Sequence, residues 1–359
     1  MLLSGAGHAA DLGGPDSLKD APDTMSDAHG GNAHATIPAG VSGAAMVGQG
    51  EGMAMYMPMV MGMDGNYIGS GKVSTATLLK TINSMKSGMG AGMPLRMVPD
   101  SMTGQMHMLG AMYGVTDAIN VMVMGGYTEK DMTMTTYNGA GTSAVGTRTY
   151  TAEGISDTSV SGLFRLYDDG INHVHLNFGV SLPTGDITQQ MNMLSPSGGN
   201  MTMRAAYGMQ LGTGTVDLMP GLTYTGNKEL WSWGAAYRGR FALDDNDEGY
   251  HWGDMHTVTG WVGYTIFPGV TATARAAGTV QDKIQGVDPQ IFGRMQGANP
   301  AWYGGEVVNM FGGVEIAGHE FGLGHTRFAI EAGAPVYQNL NGPQMGQDWQ
   351  LNAVAAVHF

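Results

Sequence analysis

The chain has 359 residues, including 59 glycines, 31 methionines and no cysteine, and its charged residues make up only 13%. A soluble domain usually carries about 25% charged residues, so this surface is not built to face water everywhere. The lack of cysteine excludes disulfides, thiolate metal sites and cysteine nucleophiles. The formal net charge of −14 argues against nucleic acid as a partner, because binding it needs a basic footprint.

The hydrophobic share of 43% is not gathered into long runs. No stretch of 18 or more apolar residues occurs, which excludes a helical membrane span. The other structure that satisfies every backbone polar group inside lipid is a closed β-barrel. If the chain crosses a membrane, it therefore does so with β-strands.

The first fifty residues differ from the rest. Residues 1–10 have a short apolar start and small residues at Ala9 and Ala10, so they are either the remainder of a secretory signal or a disordered terminus. Residues 12–50 are rich in Gly, Ala, Asp and His and show no apolar period. We predict a flexible leader or a plug over 1–50 and a barrel domain over 51–359.

From Gly52 onward, apolar and polar residues alternate with a period of two. In one segment Val174, Leu176 and Phe178 share a face, and His173 and His175 lie on the other. Most polar faces carry Gly, Ser, Thr and Asn rather than the Lys and Glu of a soluble sandwich. The alternation is typical of barrel strands. It predicts twelve strands, at 52–63, 105–114, 119–128, 155–167, 172–183, 214–226, 230–243, 255–266, 269–281, 304–317, 325–337 and 348–359.

Short and long connections alternate between these strands, and 129–154 and 184–213 are among the long ones. With an even strand number, this layout predicts an all-β fold, a transmembrane antiparallel β-barrel of about 12 strands in the bacterial outer membrane. Both chain termini are then expected to be periplasmic. The expected partners are outer-membrane lipid and lipopolysaccharide. The aromatic residue Phe359, last on an alternating strand, resembles the signal read by the outer-membrane assembly machinery.

Several short motifs resemble one outer-membrane family, that of the meta-pathway of phenol degradation, whose members are often named simply transporters. They are NFGVSLPTGD at 177–186, MDGN at 63–66, DLMPGLTYTG at 217–226 and APVYQNLNGPQ at 334–344. The resemblance covers roughly residues 52–359. It implies a barrel that passes small, often hydrophobic compounds across the outer membrane. The leader and the methionine density depart from the family pattern.

Methionines concentrate on one face of three consecutive predicted strands. By parity this face points into the lumen, because Leu109, Tyr113 and Val121 occupy the opposite face. Thioethers are soft ligands that select Cu(I), although methionine is also a flexible apolar filler or a lining for hydrophobic substrates. The proposed lumen, substrate or Cu(I) ladder comprises Met53, Met55, Met57, Met59, Met61, Met63, Met106, Met108, Met112, Met122 and Met124.

Three further groups are candidates for metal binding or for filling the lumen. Histidines near the predicted periplasmic strand ends could form a metal-collecting mouth or a polar rim. An acidic loop could bind Ca²⁺ or simply be solvated. The histidines are His173, His175, His325 and His358, and the acidic residues are Asp244, Asp245, Asp247 and Glu248. The inward charges, expected to pair or to set ion selectivity, are Asp157, Arg165, Asp217, Arg238, Arg240, Arg275, Glu315, Arg327 and Glu331.

No nucleophile, base and orienting partner can be placed together, so the chain is not expected to be an enzyme. The sequence predicts a porin-like outer-membrane channel or transporter for small molecules, with a lumen lined by methionine and a few paired charges. The alternative is a methionine- and histidine-rich protein that captures or passes Cu(I) at the outer membrane.

Overall fold

The computed structural model describes residues 36–83 and 91–359, and the signal-like start with most of the predicted leader lies outside them. The described chain is almost entirely β-structure. Its only α-helix is the four-residue turn α1, Thr75–Leu78. The strands are β1 Gly52–Gly69, β2 Gly71–Val73, β3 Met97–Thr116, β4 Ile119–Tyr137, β5 Ala144–Ile155, β6 Thr158–Asp168, β7 Asn172–Leu182, β8 Gln190–Leu194, β9 Asn200–Arg204, β10 Asp217–Lys228, β11 Trp231–Ala242, β12 Tyr250–His251, β13 Met255–Phe267, β14 Val270–Gln281, β15 Gln285–Gly286, β16 Gly305–Ala317 and β17 Thr326–His358.

Eleven of these strands form a closed antiparallel ring. Its order is β1, β3, β4, β6, β7, β10, β11, β13, β14, β16 and β17, and β17 closes the ring by pairing with β1. Strands β2 and β5 add to the outer ends of β1 and β4. Closure leaves no edge unpaired, which is the condition for a sheet to cross lipid.

The last strand, β17, runs along the barrel wall twice, once in each direction. Its first half pairs with β16, from Arg327 to Leu340, and its second half pairs with β1, as far as His358. The amide of His358 donates to the carbonyl of His325 at 3.0 Å, so the two halves lie side by side as a hairpin. Because β17 supplies two wall segments, the ring of eleven strands contains twelve antiparallel segments, the number of strands that the alternation predicts.

Apolar side chains are exposed on the outer face of the wall, as a surface that faces lipid requires. Leu109, Phe178 and Val336 are 66%, 50% and 62% exposed, whereas the inward neighbours Asn120 and His175 are almost fully buried. Short turns and both ends of the ring lie at one end of the barrel, where Gly52 donates to the carbonyl of Phe359 at 2.7 Å. That end is periplasmic, since outer-membrane barrels have short periplasmic turns. The protein is an outer-membrane β-barrel.

Among residues 36–83 and 91–359, no helix is long and apolar enough to cross a membrane.

The prediction of a loop over 129–154 is wrong. Strand β4 continues to Tyr137, and β5 returns along it from Ala144, so the two form a ribbon that rises beyond the ring. Its Thr133 and Thr149 hydroxyls meet across the strands at 2.9 Å. Threonines on both faces of this segment obscured the strict alternation that the other strands show. The predicted strand 155–167 corresponds to β6, and only its first residue, Ile155, belongs to β5.

Candidate functional site

The lumen is divided into three levels along the barrel axis. Residues 36–50, which we call the plug, fill its periplasmic half. Inward-folded loops, which we call the cap, cover its extracellular end. A chamber of about 490 Å³ lies between them.

The plug is held by side chains that point inward from the wall. The carbonyl of Gly43 accepts hydrogen bonds from Nε2 of His175, Nδ2 of Asn177 and a guanidinium nitrogen of Arg238, each at 3.0 Å. The backbone of Gly43 has φ +61, and an added Cβ would lie 3.1 Å from Nδ2 of Asn177, so glycine suits this turn best. Farther along, Asn120 bonds both the amide and the carbonyl of Val47, at 2.7 and 3.0 Å.

Ion pairs secure the start of the plug. Glu315 accepts from the amide of Ile37 at 3.0 Å and from Nε of Arg327 at 2.7 Å, and Arg327 also donates to the carbonyl of Ile37. Arg275 and Glu331 form a buried pair in the wall beside the plug. These contacts close the periplasmic half of the lumen. They also show that most of the inward charges predicted from sequence pair with one another.

Not every predicted lumen charge belongs to one network. Arg240 bonds Asp157 and Asp217 on a different side of the lumen, where β10 and β11 meet the loop after β5. Arg165 pairs with Asp168 at 2.9 Å, beside a periplasmic turn. Asp157 lies in the break between β5 and β6 rather than on a strand.

The chamber is lined mainly by thioethers and aromatic rings. Lys130 enters it from β4, and its ammonium donates to the carbonyls of Gly208 and Gln210 at 3.0 and 2.6 Å. Trp252, Trp302 and Tyr303 come from the cap. Among the described residues, nine methionines line it, namely Met59, Met61, Met63, Met102, Met106, Met132, Met134, Met209 and Met345.

The predicted methionine ladder divides between the chamber and the region below it. Met59, Met61, Met63 and Met106 line the chamber. The others pack beneath it against the plug, namely Met53, Met55, Met57, Met108, Met112, Met122 and Met124. All eleven residues lie on the inward side of β1, β3 and β4.

The cap is an apolar cluster formed by loops that the sequence marks only as long. The hairpin β8–β9, the short pair β12–β15 and the loop after β14 contribute Met193, Tyr207, Tyr250 and Ile291, all essentially inaccessible to solvent. Burial raises the pKa of Tyr207 to about 12, so its hydroxyl stays neutral and accepts from the amide of Asp288 at 3.0 Å.

One buried arginine joins three segments of the cap. Arg204 on β9 bonds Glu248 at 2.7 Å and Asp288 at 2.9 Å, each from a different loop. Burial opposes its charge, but the two carboxylates outweigh that effect and raise the pKa of Arg204 above its ordinary value. Sequence patterns missed this triad because its members lie far apart in irregular segments.

The predicted histidine and calcium sites do not converge. His173 and His175 lie on β7, and His325 and His358 lie at the ends of the β17 hairpin, on the opposite side of the ring. In the acidic loop, Asp245 pairs with His251, Glu248 bonds Arg204, and Asp244 accepts from the next amide. Within the described ranges, no group of three or more His, Asp or Glu side chains is placed to hold a metal ion.

Comparison with known proteins supports the fold. No protein-family model and no curated protein matches this chain. An outer membrane channel from Pseudomonas putida F1 is similar in structure, with 11% identity, a TM-score of 0.56 and coverage of 89% of this chain and 99% of that one. A FadL homologue of Pseudomonas aeruginosa has 8% identity and a TM-score of 0.41, covering 86% and 90%. The fold is thus shared with an outer-membrane barrel, while the resemblance to the phenol-degradation family stays a prediction.

Proposed function

We propose that the protein is a gated outer-membrane channel that moves small apolar molecules through the chamber. The observation that carries this proposal is a partly open space of about 490 Å³ inside a closed barrel, above the plug and beside the cap. A volume of this size is typical of sites for small organic molecules.

The lining favours apolar cargo over hydrophilic solutes. Most of the lining surface is apolar, and it offers little to replace the water that a sugar or a hard ion would lose on entry. Lys130 and the surrounding glutamines give a few fixed polar groups that orient a cargo molecule. A copper cargo has no support from histidine or carboxylate placement, so it rests on the methionines alone.

Filling the chamber tests the proposal. Gly104 lies in its wall, and a Cβ there would be in ordinary contact with Cγ of Met61 at 3.5 Å, so the side chain of Gly104→Leu enters the space without a clash at its base. Gly312→Leu is the matched control, because Gly312 faces lipid with nothing within 4 Å of an added Cβ.

The measurement is uptake of N-phenyl-1-naphthylamine by cells whose outer membrane carries each variant. The dye fluoresces in apolar surroundings, and lipopolysaccharide slows its unassisted entry. We expect the wild type and Gly312→Leu to admit the dye several times faster than cells without the protein, and Gly104→Leu to fall to that background. Equal uptake by the wild type and the empty cells would refute the channel, and unaltered uptake by Gly104→Leu would refute the chamber as its path.

A further inference from the structure

Eight methionines pack together beneath the chamber. This group, here called the lower methionine cluster, joins the wall to the plug, and its remaining apolar members among the described residues are Val47, Leu163 and Ala356. The eight are Met46, Met53, Met55, Met57, Met108, Met112, Met122 and Met124.

Strand register places three of these methionines in one row. Met53 on β1 lies opposite Met112 on β3, and Met112 lies opposite Met122 on β4. Directly opposed residues of antiparallel strands have their Cβ atoms about 4.5–5.5 Å apart. Since thioether side chains are flexible, three sulfurs on such a row can turn towards one point between them. Met46, buried in the same cluster, comes from the plug side.

The next level of the wall brings two more methionine side chains together. Gly110 separates Met55 and Met124, and the position of an added Cβ there lies 3.2 Å from Sδ of Met55 and 3.4 Å from Cγ of Met124. Because Gly110 has no side chain, the side chains of Met55 and Met124 extend over its backbone. Met57 lies opposite Met108 one level higher.

The same strands use different apolar residues for lipid. Their outward positions carry Leu109, Tyr113, Val121 and Val123, all well exposed, and no methionine of the predicted ladder is among them. Leucine and valine would fill the inside equally well if only apolar volume mattered there. Since methionine occupies the inward positions and leucine, tyrosine and valine the outward ones, we infer that the inward face requires thioether sulfur and not apolar volume alone.

We propose that the lower methionine cluster binds a soft monovalent metal ion, Cu(I) or Ag(I), with Met53, Met112 and Met122 as ligands and Met46 closing the site. Thioethers are neutral and soft, so they suit a monovalent d¹⁰ ion and reject Ca²⁺, Mg²⁺ and Zn²⁺. The net charge of −14 draws cations to the protein. This inference rests on the proposed function for one thing only, which is entry through the chamber.

Sulfur atoms line the route from the chamber to this site. Met59 and Met106 line the chamber and lie opposite each other, one level above Met57 and Met108. Successive inward levels of a strand are about 7 Å apart, two residues at roughly 3.4 Å each. An ion can pass along closely spaced weak sites of this kind, as ions do in channels.

The experiment is a calorimetric titration of the purified full chain in detergent with Ag(I), which needs no reductant. The test variant is Met53→Leu/Met112→Leu/Met122→Leu, which keeps side-chain volume nearly unchanged. The control is Met191→Leu/Met193→Leu/Met203→Leu, three buried methionines of the cap. We expect one site whose affinity falls at least tenfold in the test variant and is unchanged in the control.

X-ray absorption of the Cu(I)-loaded wild type adds a second readout, for which we expect sulfur ligands alone. Equal Ag(I) affinity in the wild type and the test variant, or nitrogen and oxygen ligands in place of sulfur, would overturn the inference. Dye uptake separates the two proposals, because the test variant keeps the chamber. Intact uptake with no metal binding refutes the metal site and leaves the channel standing. Metal binding without dye uptake supports the site and refutes the channel.

Discussion

The plug and the cap close opposite ends of one lumen by different means. In the plug, wall side chains reach across the lumen and bond backbone atoms, with three donors on the carbonyl of Gly43 alone. In the cap, packed methionines, tyrosines and isoleucines exclude water, and the triad of Arg204 ties the loops together.

The difference assigns a role to each closure. Hydrogen bonds to backbone atoms are exchanged for bonds to water at a net cost of only about 0.5–1.5 kcal/mol each. A cluster of apolar side chains has no such substitute, and each large residue that it exposes costs about 1.5–3 kcal/mol. The plug buries few large apolar side chains, chiefly Ile37, Met46 and Val47, whereas the cap buries many more. We therefore expect the plug to be the part that leaves the lumen and the cap to keep its structure beside the partly open chamber. Because the chain has no cysteine, single introduced cysteines report opening at either end.

The largest effect is expected in the cap, from Arg204→Met. The change leaves the buried Asp288 and the half-buried Glu248 with no cation between them, and removing one partner of a buried ion pair costs about 3–5 kcal/mol. In an Ala206→Cys background, where this position is 6% exposed, maleimide labelling should become more than a hundredfold faster. Arg148→Met serves as the control, because Arg148 makes only an exposed bond to Asn200. A rate unchanged by Arg204→Met would show that packing alone holds the cap.

A smaller effect is expected in the plug, from Arg238→Gln. Arg238 donates to the carbonyls of Ser42 and Gly43 at 3.2 and 3.0 Å, and a hydrogen bond from a charged group contributes about 1.5–3 kcal/mol. Two other donors remain on Gly43, so the plug should loosen rather than be lost. Labelling at Ala44→Cys, a position that is 2% exposed, should rise about tenfold to a hundredfold.

The control for this prediction is Arg165→Gln, since Arg165 pairs with Asp168 near a turn. If both variants leave Ala44→Cys equally protected, the polar contacts do not hold the plug and the comparison between the two closures fails.

The wall could be predicted from sequence because one periodicity determines it. Lipid requires apolar residues at every second position, so strands such as β7 and β14 match their predicted limits to within a residue. The inward direction of Met53 and Glu331 follows from the same parity. Beyond the membrane, where lipid no longer imposes alternation, the second half of β4 and the strand β5 could not be recognised.

The chamber and the cap could not be predicted for a related reason. Lys130, Trp302 and Tyr303 meet only because loops fold inward, and no period relates their positions. The inward direction of the wall methionines follows from parity, but their division between the chamber and the plug depends on contacts such as the bonds between Asn120 and Val47. These two residues lie 73 positions apart in the chain, and a pair of hydrogen bonds at that separation leaves no periodic pattern in a sequence.

The smallest effect is expected from Trp261→Phe, and it isolates one bond of the plug. Nε1 of Trp261 donates to the carbonyl of Thr36 at 3.1 Å, while its ring packs against Ile37 and Ala44. Phenylalanine keeps most of that packing and removes the donor, so the loss is about 0.5–1.5 kcal/mol, or roughly twofold to tenfold in labelling at Ala44→Cys. Trp349→Phe, on the lipid face, should leave the rate unchanged. An increase for Trp261→Phe as large as that for Arg238→Gln would mean that packing, rather than polar contact, retains the plug, and the physical distinction between the two closures would disappear.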